Sequence, residues 1–321
     1  MNESVIALTG ATGFIGQYLL RELSRRGYRI RVLLRRPHAL PINCASAVIG
    51  DLARPINMAA ALSGVDTVIH SAALLPTMSG APESDFRLLN TTATAALARA
   101  AQRAGVRRFI FMSSVRAQSG PTALQILTED SEPKPTDAYG RSKRAAEEEL
   151  AKLDLDWVAL RLALVYGSGV KGNMARLIEL ARSPYPLPLG GLRARRSLLS
   201  LDNLVGAVEC VLSAPGPLQR PLIVAEPQPL TVPQMVAAMR RGLGRRPSLI
   251  PVPKVILELA FGVAGRSDLY RLLANPLVAD PSSLVRLGWA PNILTPDGLA
   301  AAARDRCGPD SGPIQQPGMP I

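Results

Sequence analysis

The chain has 321 residues, 47% of them hydrophobic, 19% charged and 4% aromatic, with a formal net charge of +12. That length can bury a large core, no run of about 18 apolar residues offers a bilayer span, and basic residues spread along the chain with few aromatic platforms make nucleic acid an unexpected partner. Three cysteines, Cys44, Cys210 and Cys307, are odd in number and lack metal spacing, so neither a disulfide framework nor a metal site is expected.

In chain order, Ser4 to Thr9 is an apolar strand, and Phe14 to Arg26 has helical spacing with Ile15, Leu19, Leu20 and Leu23 on one face. A strand this near the first residue leaves no place for a secretory leader, so a soluble cytoplasmic protein is expected. Between them lies Gly10-Ala11-Thr12-Gly13-Phe14-Ile15-Gly16. In strand-turn-helix context such a string binds a dinucleotide: Gly10 permits the tight turn, Gly13 lets backbone approach the pyrophosphate, and Gly16 lets the helix pack on the strand. The second strand, Arg29 to Leu34, should end in an acid if the adenosine ribose of NAD is to be held. It ends in Leu34, Arg35 and Arg36, and a guanidinium can bind a 2′-phosphate, so NADP(H) is favoured with NAD(H) as the alternative.

Further strands are expected at Ala47 to Ile49, Thr67 to His70, Arg108 to Ser114 and Trp157 to Leu160, with helices at Ala53 to Leu62, Phe86 to Ala104 and Tyr139 to Lys152. The alternation implies a Rossmann-type doubly wound parallel sheet, in the α/β class. His70, at a strand end, reads as a packed residue. The hydroxyls of Ser113 and Ser114 fall at the carboxyl end of a buried strand, where open α/β sheets bind ligands, so both are candidate substrate contacts. Asp137 is an acceptable N-cap for the helix that carries Tyr139 and Lys143. Four residues apart, those two share a face, and an ammonium beside a phenol favours phenolate, which suits a general acid/base.

Beyond residue 165 the pattern becomes irregular. Helices are expected at Asn173 to Arg182, Asp202 to Leu212, Thr231 to Leu243 and Pro253 to Ala264, forming a smaller α+β substrate region over residues 166–307, after a dinucleotide-binding domain over 1–165. Gly167 to Asn173 combines flexible backbone, a cation and an amide ahead of a helix, which suits phosphate oxygens and makes Asn173 a candidate substrate contact. One of Arg193, Arg195 and Arg196 could clamp a diphosphate. The apolar stretch Pro251 to Gly265 reads as core, with a surface for a lipid-linked sugar diphosphate, and so peripheral membrane contact, as the alternative. Residues 308–321, rich in Gly, Pro, Gln and Ser, should be a disordered tail.

Taken together, these motifs resemble the extended short-chain dehydrogenase/reductases of the nucleotide-sugar epimerase/dehydratase group. The resemblance places Ser114, Tyr139 and Lys143 on that family's catalytic triad, and Thr9 to Gly16 on its cofactor fingerprint. It also assigns Asp51 and Leu52 to the adenine-contacting turn, Ala72 and Ala73 to the strand end under the cofactor, Asn90 to the central helix, Leu160 to Gly167 to the strand and turn leading into substrate binding, and Arg196 to Asn203 to the strand and Asp202-capped helix that follow. Two positions depart from the family pattern: Leu162 replaces a proline, and Gln118-Ser119 replaces a Tyr-Gly pair. Val115 and Arg116 stand where a dehydratase has an Asp-Glu pair. The resemblance implies a homodimer built on the Phe86 and Tyr139 helices and a nucleotide-sugar substrate. Within it, the sequence favours a 4-keto sugar reductase acting on a UDP-linked 2-acetamido sugar. The alternatives are a UDP-sugar 4-epimerase and, from another class, a non-catalytic dinucleotide-binding assembly protein.

Overall fold

Seven parallel strands build the main sheet of the protein, a computed structural model describing residues 4–76 and 81–305. They are β1 (Val5–Thr9), β2 (Arg29–Leu34), β3 (Ala45–Val48), β4 (Thr67–His70), β5 (Arg108–Ser114), β6 (Asp156–Leu162) and β7 (Arg220–Val224). Their spatial order is β7-β6-β5-β4-β1-β2-β3, so the direction of winding reverses between β1 and β4. That reversal opens a crevice at the carboxyl ends of these strands, which is where such sheets bind ligands. Every residue of β4 and β5 is buried, as expected for central strands covered on both faces.

One face is covered by α1 (Phe14–Arg25), through Gly16, Leu19, Leu20 and Leu23. The other carries two helices. A composite helix, α3, runs through Glu83–Phe86, a π-turn at Arg87–Thr92, and Ala93–Arg103. It follows the single turn α2 (Met58–Leu62) and packs Leu97, Ala98 and Ala101 toward Ala7, Phe109 and Phe111. Beside it, α4 (Ala138–Leu150) buries Ala146 and Leu150 in the same cluster. Asp137 caps α4, its Oδ1 accepting from the Gly140 amide at 2.9 Å.

The later half forms a second apolar cluster from α5 (Gly172–Arg182), α7 (Val232–Gly242) and α11 (Thr295–Arg304). Between α5 and α7 runs α6 (Leu201–Ser213), which packs on the sheet beside α1 and accepts a hydrogen bond from Tyr18 Oη at Asp202 (2.6 Å). The seventh strand, Arg220–Val224, returns to the main sheet from beyond residue 165, and its five-residue run was not foreseen.

Some sequence expectations change. The helix expected over Ala53 to Leu62 shortens to α2, because Gly50-Asp51 and Arg54-Pro55 pair as a small antiparallel hairpin that uses Gly50 at φ +71. The cap of α6 is Ser200, whose side chain accepts from the Asn203 amide, and not Asp202. The expectation of a core helix over Pro251 to Gly265 is half right: α8 (Lys254–Val263) exists, but only Leu257 is buried, while Val255, Ile256, Leu259 and Val263 are exposed. Helices α9 (Ser267–Ala274) and α10 (Ser282–Arg286) went unforeseen. Among the described residues no helix is long and apolar enough to cross a membrane. The expected tail at 308–321, and Cys307, lie outside the described residues.

Candidate active site

The glycine turn has the shape its spacing requires. Gly10 sits at φ +72, and a Cβ there would meet the Ala72 amide nitrogen at 2.6 Å; a Cβ at Gly16 would overlap the Gly10 carbonyl. Gly13 is the N-cap of α1 and offers no side-chain cap, so the first amides of the helix, flanked by Thr12, Phe14 and Ile15, remain for an anion. This cradle fits a dinucleotide pyrophosphate, since any side chain at Gly10 or Gly16 would collapse it. At the adenosine side, Arg35 and Arg36 are exposed after Leu34, and the exposed Asp51 turns its Oδ1 to the Ala53 amide (2.8 Å).

Under the turn, one hydrogen-bond chain has a readable direction. The amides of Ser71 and Ala72 donate to Thr9 Oγ1, which must therefore donate its own proton to His70 Nδ1 (2.7 Å). His70 Nε2 then donates to Thr94 Oγ1 (2.9 Å), which donates to the Asn90 carbonyl (2.7 Å). His70 is fully buried, and burial, helped by the positive charge of Lys143, pushes it down to about 3. It is a neutral strut, as its sequence position suggested. Ala72 follows directly, its backbone against Gly10, with Ala73 next in the chain.

Asn90, which the resemblance assigns to the central helix and to cofactor binding, ties two segments of the fold together. Its Oδ1 accepts from the Leu74 amide (2.7 Å), and its Nδ2 donates to the Leu74 carbonyl and to Ser142 Oγ (both 3.0 Å). Ser142 in turn donates to the Tyr139 carbonyl (2.8 Å). Asn90 therefore joins the segment after β4 to the first turn of α4.

Tyr139, Lys143 and Ser114 come together at the carboxyl end of β5. The Ser114 hydroxyl lies against the Tyr139 phenol and also accepts from the Arg116 amide (3.2 Å). Lys143 is buried, donates to the Met112 carbonyl (2.8 Å), and places Nζ 4.5 Å from the Phe111 ring and 5.9 Å from the Tyr139 ring. Burial pushes the ammonium down to about 7, against the opposing charge of Glu147. The phenol is pushed up to about 12 by burial, with the Arg116 charge and the Ser114 hydroxyl working the other way.

Ser113 points to the opposite side of the strand from Ser114, as alternation demands. Its hydroxyl donates to Glu147 Oε1 (2.6 Å), and the same carboxylate binds Arg161 Nη2 (2.6 Å) and Nε. Both charged residues are at most 2% exposed, so this is an interior ion pair. The expectation of Ser113 as a substrate contact is thus corrected: its proton is held by the core.

Arg196 is likewise engaged. It donates to the carbonyls of Leu272, Asn275 and Pro121, tying the end of α9 to the loop after β5. Burial and the nearby charge of Arg116 lower it to about 10. Its expected role as a free diphosphate clamp gives way to this three-carbonyl anchorage. Asn173 is exposed in the first turn of α5, whose N-cap, Lys171, supplies no side-chain cap.

The residue that sequence reading took only as a departure from the dehydratases is Arg116. Its Nε and Nη2 reach Asp137 Oδ2 at 3.0 and 2.7 Å, and its guanidinium carbon lies 5.4 Å from the centre of the Tyr139 ring. A cation two residues after Ser114 was the available signal.

The chain is similar to several known proteins. A UDP-glucose 4-epimerase of Vibrio cholerae is 31% identical over 312 residues, covering 93% of this chain and 94% of that protein. Among solved structures, MoeE5 in complex with UDP-glucose and NAD is 26% identical, with a TM-score of 0.71 and coverage of 94% and 97%. A UDP-N-acetylglucosamine 4-epimerase from Bacillus cereus, at 20% identity and a TM-score of 0.76 over 94% and 98%, shares the fold. The model of the NAD dependent epimerase/dehydratase family matches residues 6–224, and the chain, an enzyme by its kinship, belongs to that family.

Proposed function

We propose that the protein is a 4-epimerase of a UDP-linked hexose. The observation that carries this reading is the likeness to the Vibrio cholerae UDP-glucose 4-epimerase along nearly the whole chain. It moves the weight from the ketoreductase, which the sequence favoured, to the epimerase. In this reading the glycine turn, Ala72 and Ala73 hold the dinucleotide, with Asp51 and Leu52 toward the adenine. When bound, the nicotinamide supplies reversible hydride acceptance.

Tyr139, as phenolate, takes the proton of the sugar 4-hydroxyl while C4 gives up hydride, and returns it when hydride comes back to the opposite face. Ser114 holds the same sugar oxygen. Lys143 would hold the cofactor ribose, and Arg116 puts a cation where a dehydratase needs an acid. We also propose a homodimer through α3 and α4. A second reading, an NADPH-dependent reductase of a 4-keto sugar, is favoured by Leu34, Arg35 and Arg36 at the end of β2.

Incubation with UDP-glucose and with UDP-N-acetylglucosamine, with no reductant, is followed by NMR. Conversion to the galacto epimer by wild type, lost in Tyr139→Phe by about 100-fold or more, is the expected result. No conversion, together with stoichiometric NADPH consumption on a 4-keto sugar, overturns the epimerase in favour of the reductase.

A further inference from the structure

Among the described residues the cation closest to the Tyr139 ring is Arg116 and not Lys143. Arg116 sits 5.4 Å from the ring centre, on the turn Val115–Ala117 that leaves β5, whereas Lys143 Nζ is 5.9 Å away and directed to a carbonyl and to the Phe111 ring. The position of Arg116 is fixed from two sides. Its guanidinium is bound by Asp137 Oδ2, whose other oxygen caps α4, and its carbonyl is so close to Gly140 that a Cβ there would overlap it. One aspartate thus ties the loop cation to the helix that carries the phenol.

We propose that Arg116 is a positioning residue for Tyr139: held over the ring by Asp137, it fixes the phenol beside Ser114 and favours its ionised form. This inference rests on the reading of Tyr139 as the acid/base. The groups facing the phenol come from several elements. Ser114 lies at the end of β5, Lys143 one turn along α4, Asp137 at the cap, and Arg116 on the turn; Phe86 of α3 meets the ring edge-on at 6.5 Å. Asp137 opposes ionisation, and Arg116 and Ser114 support it. Arg196 lies near enough to Arg116 for the two charges to repel, and its guanidinium is held off by backbone carbonyls. A cation at this range, partly exposed and partly offset by Asp137, should be worth about one pH unit.

The test compares wild type with Arg116→Met, which keeps the bulk and loses the charge, and with Arg116→Lys, which keeps the charge. Arg116→Met should move the acid limb of the kcat/KM profile upward by about one pH unit, lowering the rate about tenfold on that limb. Arg116→Lys should restore at least half of the shift. In the Tyr139→Phe background, Arg116→Met should have no further effect on kcat.

A readout independent of turnover is the Tyr139 ring carbon resonance in tyrosine-labelled enzyme saturated with NAD, identified by its loss in Tyr139→Phe and followed from pH 6 to 11. A profile and a resonance that both titrate alike in wild type and Arg116→Met overturn the proposal, even while Tyr139→Phe abolishes turnover and leaves the proposed function standing. A resonance that moves with Arg116 while Tyr139→Phe keeps its full rate supports the Arg116 role and overturns the assignment of Tyr139 to the chemistry. Arg116→Lys, folded with its charge in place, keeps the comparison available if Arg116→Met is unstable.

Discussion

Replacing Glu147 by glutamine should show how much the interior ion pair beneath the site contributes. Glu147 is 2% exposed and Arg161 1%, the contact is 2.6 Å, and Ser113 supplies a third partner. Arg161 Nη1 has no hydrogen-bond partner among the described residues, so the carboxylate is what compensates this buried guanidinium. Glu147→Gln keeps the shape and removes the charge, leaving the cation stranded, a change that costs about 3–5 kcal/mol. For a chain of this size, with unfolding entropy near 2.1 cal/mol/K per residue, a loss of about 4 kcal/mol lowers Tm by roughly 6 °C. Urea titration and thermal melting by circular dichroism, on Glu147→Gln and on Glu147→Gln/Arg161→Met, provide the measurement. The double variant should recover more than half of the loss, because the guanidinium that the single variant strands is gone, while Lys143 lacks the Glu147 charge in both variants. A single variant that loses less than about 1 kcal/mol, or a double variant no better than the single, would refute the reasoning.

Other expectations follow from the same structure. Gly16→Ala pushes a methyl group into the Gly10 carbonyl, so α1 must lift from β1; calorimetric titration with NAD should show binding weakened by about tenfold or more, and unchanged affinity would contradict the cradle described above. His70 is neutral in the fold at about 3, against a reference near 6.5, so the unfolded chain binds a proton that the native one refuses. Its contribution is complete above pH 6.5 and is lost as pH falls toward 3, at up to about 1.4 kcal/mol per pH unit. Urea midpoints at pH 5 and 7 should therefore differ more in wild type than in His70→Gln. Finally, if Arg35 meets a 2′-phosphate, Arg35→Asp should weaken NADPH by about tenfold or more and NADH much less, and equal losses for both would sink that assignment.

Much of the site was legible because its signals are local. The glycine spacing of residues 10 to 16, the apolar runs of β1, β2, β4 and β5, and the four-residue offset of Tyr139 and Lys143 each report on one element. What sequence hid depends on contacts between distant segments. Whether Ser113 or Ser114 faces the cleft is settled by strand alternation only once Glu147 and Arg161 are known to lie on the other side. Arg196 finds its carbonyls 75 to 79 residues away, at Pro121, Leu272 and Asn275. The helix at Ala53 failed for a shorter-range reason, since Pro55 and Gly50 favour a hairpin that alanine-rich composition conceals. The strand Arg220–Val224 is short and flanked by prolines, and only its parallel register with Val158 to Leu162 makes it part of the sheet.

The π-turn at Arg87–Thr92 amounts to one residue more than a regular helix would use, and it acts as a phase shifter along α3. Winding the same residues as regular helix at 3.6 residues per turn would rotate the segment before the turn by about 100° relative to the segment after it. Phe86, which borders Tyr139, and Asn90, which grips Leu74 and Ser142, could then no longer both face their targets. Point substitutions at the exposed Leu88 should be tolerated, and deletion of that one residue should close a regular helix with its two flanks still in phase.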